Sequence, residues 1–180
     1  MGLSGIPSAQ IPYPMKSATY RCFALAASML LAGTSFAADV VLGKASENKI
    51  HAQALVNRQT AKPENKDLSI LGLHAIVPGA AVQTMIACNL DRIGKADSED
   101  DIIVTKEHKT MVFPKLSKPG IFEVMTPLKD SSGNVIGMLV FVFDGYKAGA
   151  DETPYYLRAM KMREEMARET PSYVALFKRI

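Results

Sequence analysis

The chain has only two cysteines in 180 residues, Cys22 and Cys88, and Cys22 falls in a stretch read below as a removable leader. Cys88 is then alone, so no internal disulfide can form and the fold must rest on packing. Catalytic signatures are also missing: there is no Gly-x-Ser-x-Gly, no His-Glu-x-x-His, no Cys-x-x-Cys and no phosphate-cradling glycine loop. A protein that is not an enzyme, with no cofactor and no metal centre, is the expectation. No basic run is interleaved with aromatics, which excludes an evident nucleic-acid surface. After the leader no apolar run approaches the roughly 20 residues that a membrane-spanning helix needs. No internal repeat, low-complexity tract or long linker divides the chain.

What is present begins with that leader. Met15-Lys16 and Arg21 supply a positive start, Cys22 to Gly33 an apolar core, and Thr34-Ser35-Phe36-Ala37 the small residues a signal peptidase reads. Residues 1–37 are expected to be a signal peptide cut after Ala37, with an uncleaved anchor as the alternative. Residues 1–14 carry Pro7, Pro12 and Pro14 but no charge, which points to Met15 as the true start. Losing Lys16 and Arg21 removes most of the formal charge of +3. The mature chain, 38–180, is expected to be one periplasmic or secreted domain with no stable membrane insertion.

The stretch from Phe122 to Tyr146 organises that domain. Two apolar runs flank Lys129-Asp130-Ser131-Ser132-Gly133-Asn134, residues that tolerate tight turns, so it reads as a long antiparallel hairpin. Phe122, Val124, Thr126 and Leu128 share one face, and Glu123 and Met125 the other. Val135 to Phe143 is apolar except for Gly137, as a central strand covered on both sides should be. Upstream, Ser46 is read as the cap of a helix ending before Pro63. Leu68 to Val77 and Val82 to Leu90 read as a shorter hairpin. Ser98 followed by three acids starts a brief helix ending near His108, and Lys109 to Pro114 is a third short strand. At the C-terminus Thr153-Pro154 caps a helix with Tyr155, Ala159, Met162 and Met166 on one side. A last short helix after Thr170-Pro171 should place Tyr173, Val174 and Phe177 on the body. Acids 99 to 101 lack the ligand spacing of a calcium loop.

The order of these parts, from about Leu68 to Phe143, resembles the Cache domains, extracytoplasmic sensory modules with a PAS-like fold. The matching residues are Asn89-Leu90-Asp91-Arg92-Ile93-Gly94-Lys95 after a strand, Glu107-His108-Lys109 entering another, and Met125-Thr126-Pro127-Leu128. Asp130 to Gly133 and Val135-Ile136-Gly137 complete the set. The fold expected is α+β: a single PAS-like antiparallel five-stranded sheet with an N-terminal helix, an inserted short helix and two C-terminal helices. The resemblance implies a noncatalytic small-molecule-binding or sensory module whose ligand lies against the sheet near the first strands and the following loop. Cache domains commonly sit between two membrane helices and signal to a cytoplasmic module. Neither is evident here, so signalling would need a partner protein.

Asn89, Asp91, Arg92 and Lys95 can converge on a small polar metabolite, with Arg92 able to clamp a carboxylate at two points; a solvated turn is the plainer reading. His74, Asn89, Arg92 and Lys95 are therefore the candidate ligand-binding residues. A rival use of His74 pairs it with Cys88 as a thiol-dependent nucleophile, since the short hairpin puts the two diagonally on one face. Against it, free cysteine is usually core. A third alternative is a protein-interaction module docking through its C-terminal helices. His51 and His108 are assigned solvent or capping roles.

Overall fold

The apolar runs on either side of Lys129 to Asn134 pair at the centre of an open antiparallel sheet. The structure, a computed structural model, describes residues 43–114 and 118–180; the expected signal peptide lies outside them. In chain order the elements are α1 (His51–Thr60), a 3-10 turn (Pro63–Asn65), β1 (Leu68–Ile76), β2 (Gln83–Cys88), α2 (Glu99–Glu107), β3 (Met111–Pro114), β4 (Ile121–Lys129), β5 (Val135–Asp144), α3 (Thr153–Arg168) and a closing 3-10 helix (Tyr173–Phe177). The strand order is β2-β1-β5-β4-β3, every neighbour antiparallel. This is the expected α+β class, with a single PAS-like antiparallel five-stranded sheet.

The period-2 pattern of the strands sorts their side chains into two layers. Leu71, Leu73, Phe122, Val124, Leu139, Phe141 and Phe143 face α1, α3 and the closing helix in the larger core. Met125, Met138, Val140 and Val142 turn the other way, with Val104 of α2. β5 is buried on both faces, which is why its sequence is continuously apolar rather than alternating. Each such Leu or Phe side chain contributes about 1.5–3 kcal/mol relative to exposure, so the hairpin supplies much of the driving force for folding. The α3 helix is also fixed electrostatically. Arg158 holds the carboxylate of Asp67 with two bonds of 2.8 and 2.6 Å and stacks 4.5 Å over the Phe143 ring.

The hairpin turn is built by Asp130. Its Oδ1 accepts from the backbone of Ser132 and Asn134, both at 2.9 Å, and its Oδ2 from the Asn134 side chain at 3.0 Å. The Asn134 amide, with those backbone donors, holds the Asp130 carboxyl below its ordinary range. Gly133 adopts φ 89°, closed to most residues with a Cβ.

Three end assignments are corrected. Ser46 is no cap: it lies in a turn closed by the Glu47 and Asn48 amides donating to the Lys44 carbonyl at 2.9 and 3.0 Å, and α1 starts after Ile50 without a side-chain cap. Thr153 is already helical, with Glu152 at the cap position and Asp151 Oδ1 accepting from the Thr153 amide at 2.9 Å. Val174 faces outward, and Leu176 joins Phe177 in the core instead, because the last turn is 3-10 and not α, which rotates the buried face.

Gly137 is the tightest point of the sheet. An ideal Cβ there would lie 2.3 Å from the carbonyl oxygen of His74 and 3.3 Å from Ala75 Cβ, so even alanine must push β1 and β5 apart. Gly137→Ala is expected to cost at least about 2 kcal/mol in denaturant unfolding, far more than alanine at an ordinary strand position. An effect below about 0.5 kcal/mol would contradict the packing described.

Candidate functional site

Two features carry β1 past its hydrophobic pattern. Its residues Ile70, Gly72 and His74 alternate away from the larger core, Gly72 and His74 buried and Ile70 half-buried against the smaller one, and a bulge in β2 sets Met85 opposite His74 after Ala87 pairs with Leu73. Ile86 is the extra residue, and it joins Ala87 in the larger core. Beyond β2 the chain folds back along that strand's outer edge. The Gly94 amide donates to Met85 O at 2.8 Å, the Met85 amide donates to Lys95 O at 2.9 Å, and Ala96 bridges Thr84. The edge of the sheet is thereby paired, and Asp97 is delivered to His74.

His74 Nδ1 and Asp97 Oδ1 are 2.7 Å apart, both side chains almost wholly buried. A carboxylate only accepts, so the proton of this bond sits on Nδ1. The Gln83 amide donates onward to Asp97 Oδ2 at 2.7 Å and to Thr105 Oγ1 at 2.9 Å. The Thr105 hydroxyl donates to the Asp101 carbonyl at 3.1 Å. Asp101 in turn closes the α2 capping box, its Oδ2 accepting from the Ser98 amide and hydroxyl, both at 2.7 Å. One chain of bonds thus runs from β1 through the returning loop and β2 into α2. Its far end is open: His74 Nε2 is buried and has no hydrogen-bond partner among the described residues, a costly state unless something fills it.

That imidazole lines a cavity of about 670 Å³ between the sheet and α2. Ile70, Met125, Val140 and Val142 form an apolar floor, and Arg92, Lys95, Lys118, Asp100, Asp101 and Glu123 supply the polar surround. Its size is ordinary for a small-molecule site. His74, Asp97 and Asp101 also place ligand atoms within 4.8 Å of one another. Yet both Asp97 oxygens and Asp101 Oδ2 are already bonded within the network, so the trio fits a hydrogen-bonded tie better than a metal centre.

Of the residues singled out from sequence, the structure brings His74, Arg92 and Lys95 to this cavity and takes Asn89 elsewhere. Asn89 continues the ladder where β2 ends: its Oδ1 accepts from the Leu71 amide at 2.8 Å and its Nδ2 donates to the Ser69 carbonyl at 3.0 Å. It lines a different, more open recess beside α1, as do Cys88 and Asp91. The proposed pairing of Cys88 with His74 is not made. Cys88 stands opposite Gly72, its sulfur accepts from the Leu90 amide at 3.4 Å, and burial pushes its thiol up, away from the reactive thiolate. Outside the cavity, His51 Nε2 lies 3.0 Å from the Glu169 carbonyl, and His108 ends α2 in the left-handed region. Sequence reasoning missed Asp97, Gln83 and Lys118. No spacing signals them, since their role depends on the loop returning along β2.

No protein-family model and no curated protein matches the chain. Among solved structures it is similar to HmgR of Pseudomonas aeruginosa, at TM-score 0.43 and 11% identity over 68% of each chain. The C-terminal domain of the E. coli transcriptional regulator KdgR matches at 0.43 and 11%, over 67% of this chain and 96% of that one. A GAF sensor protein from Burkholderia vietnamiensis matches at 0.43 and 16%, over 73% and 80%. At such values the likeness is one of fold outline. Of the Cache resemblance, the five-stranded PAS-like sheet is what the structure bears out.

Asn89→Ala is expected to cost about 1–3 kcal/mol in denaturant unfolding, because it strands one backbone donor and one backbone acceptor. Arg92→Gln and Lys95→Gln, on exposed positions, should stay within about 0.5 kcal/mol. The reverse order would contradict these placements.

Proposed function

We propose that the chain is a noncatalytic small-molecule-binding or sensory domain, of Cache type in its extracytoplasmic setting, that captures a small polar metabolite between its sheet and α2. The observation that carries this reading is the apolar-floored cavity of about 670 Å³ lined by His74, whose buried Nε2 has no hydrogen-bond partner among the described residues. A ligand group bonded to Nε2 removes the penalty of an unsatisfied buried atom, and the rest of the ligand covers the floor.

Signalling follows from the same bonds. His74, Asp97, Gln83 and Thr105 connect the cavity to α2, so a ligand that fits one placement of the 91–108 segment stabilises it over others. A partner protein would read that placement, and the mature domain would work in the periplasm or outside the cell after removal of residues 1–37. No thiol chemistry enters, as Cys88 and His74 have separate partners.

The test is a thermal-shift screen of the purified protein against carboxylates, amino acids, nucleobases, amines and divalent metals. At about 100 times its Kd a ligand should add about 2.7 kcal/mol of stability. That rise should vanish in Val140→Phe, which fills the floor. If no compound shifts a well-folded sample, or if the shift survives in Val140→Phe, the cavity is not the binding site.

A further inference from the structure

The charges around the cavity are unevenly committed. On the acidic side, Asp101 Oδ2 is taken by the Ser98 amide and hydroxyl, and Glu123 is buried with an interaction of its own. Asp100 sits in the first turn of α2, where a carboxylate favours the helix dipole. On the basic side, Arg92, Lys95 and Lys118 all line the cavity, and none belongs to an ion pair among the described residues. Three uncommitted cations at the margin of one apolar-floored cavity raise the local concentration of anions and favour a bound negative charge. Arg92 and Lys95 are also held in place: the loop that carries them is bonded to Met85 at both Gly94 and Lys95.

His74 asks for a different group. With Nδ1 committed to Asp97, Nε2 has one hydrogen-bonding position left, which a hydroxyl meets because it can both donate and accept. The cavity is also lined by Val140 and Val142, which suit an apolar body.

We propose that the occupant is a small hydroxylated organic acid. Its carboxylate meets Arg92, Lys95 and Lys118, its hydrocarbon body covers Val140 and Val142, and its hydroxyl bonds His74 Nε2. This rests on the binding reading above and narrows it to one ligand class.

The test is calorimetric titration of the purified protein with small hydroxy acids, each beside its methyl ester, its deoxy analogue and the amine of the same skeleton. One or more acids should bind, with the ester and the deoxy analogue each at least about tenfold weaker. Binding should weaken as salt rises. The Arg92→Gln/Lys95→Gln variant should lose at least about tenfold in affinity while its unfolding curve stays unchanged. Esters or amines that bind as well as the acids, or full affinity in the double variant, would overturn the organic-acid assignment while leaving a binding cavity in place. Absence of binding by every compound here and in the wider screen would overturn both.

Discussion

The His74 carbonyl and Gly137 meet so closely that no side chain fits between β1 and β5, and the rest of the site depends on that approach. The same residue whose backbone is clamped there carries the imidazole that opens on the cavity. Its position is therefore set by the central pair of strands rather than by a loop, which limits how far Nε2 can wander. Strands buried on both faces do not slip easily, since a one-residue shift would exchange the two cores. A binding group built on such a strand is placed with the precision of the sheet itself.

The second layer of support comes from polar groups in an apolar setting. A buried His and Asp would each be destabilising alone, and the half-buried Gln83 ties them onward. Joined in sequence from β1 to α2, they satisfy one another and leave one atom over. Networks of this kind are sensitive to what fills the last position. The α2 helix is joined to the sheet on this side by few apolar contacts, Val104 being its one fully buried apolar residue, so the hydrogen bonds have a large share in holding it. That combination suits an element meant to respond to a ligand. The opposite layer, with α1, α3 and the aromatic cluster around Tyr155, has no such weakness.

Much of the fold was legible because it follows from local rules. The β4–β5 hairpin declared itself through alternation, the turn residues Asp130 to Asn134 and the apolar β5. The Ser98 capping box and the Met162 and Met166 stripe declared themselves likewise. What was not legible depended on partners outside the element concerned. A turn closed on the Lys44 carbonyl holds the expected Ser46 cap away from α1, and the bulge at Ile86 sets which residue faces His74. For the site, His74, Arg92 and Lys95 could be named from strand and loop position. Asn89 could not be distinguished from them, since an asparagine at a strand end suits a ligand and a backbone ladder equally well. Asp97 had no sequence signal at all, because only the returning loop brings it beneath α2.

The most direct measurement of the central claim is a nitrogen-15 spectrum of the His74 ring at neutral pH in the ligand-free protein. The account predicts a proton on Nδ1, shared with Asp97, and an Nε2 that changes environment when a ligand enters the cavity. A bare Nδ1 with the proton on Nε2 would contradict it, since Asp97 would then not hold the ring.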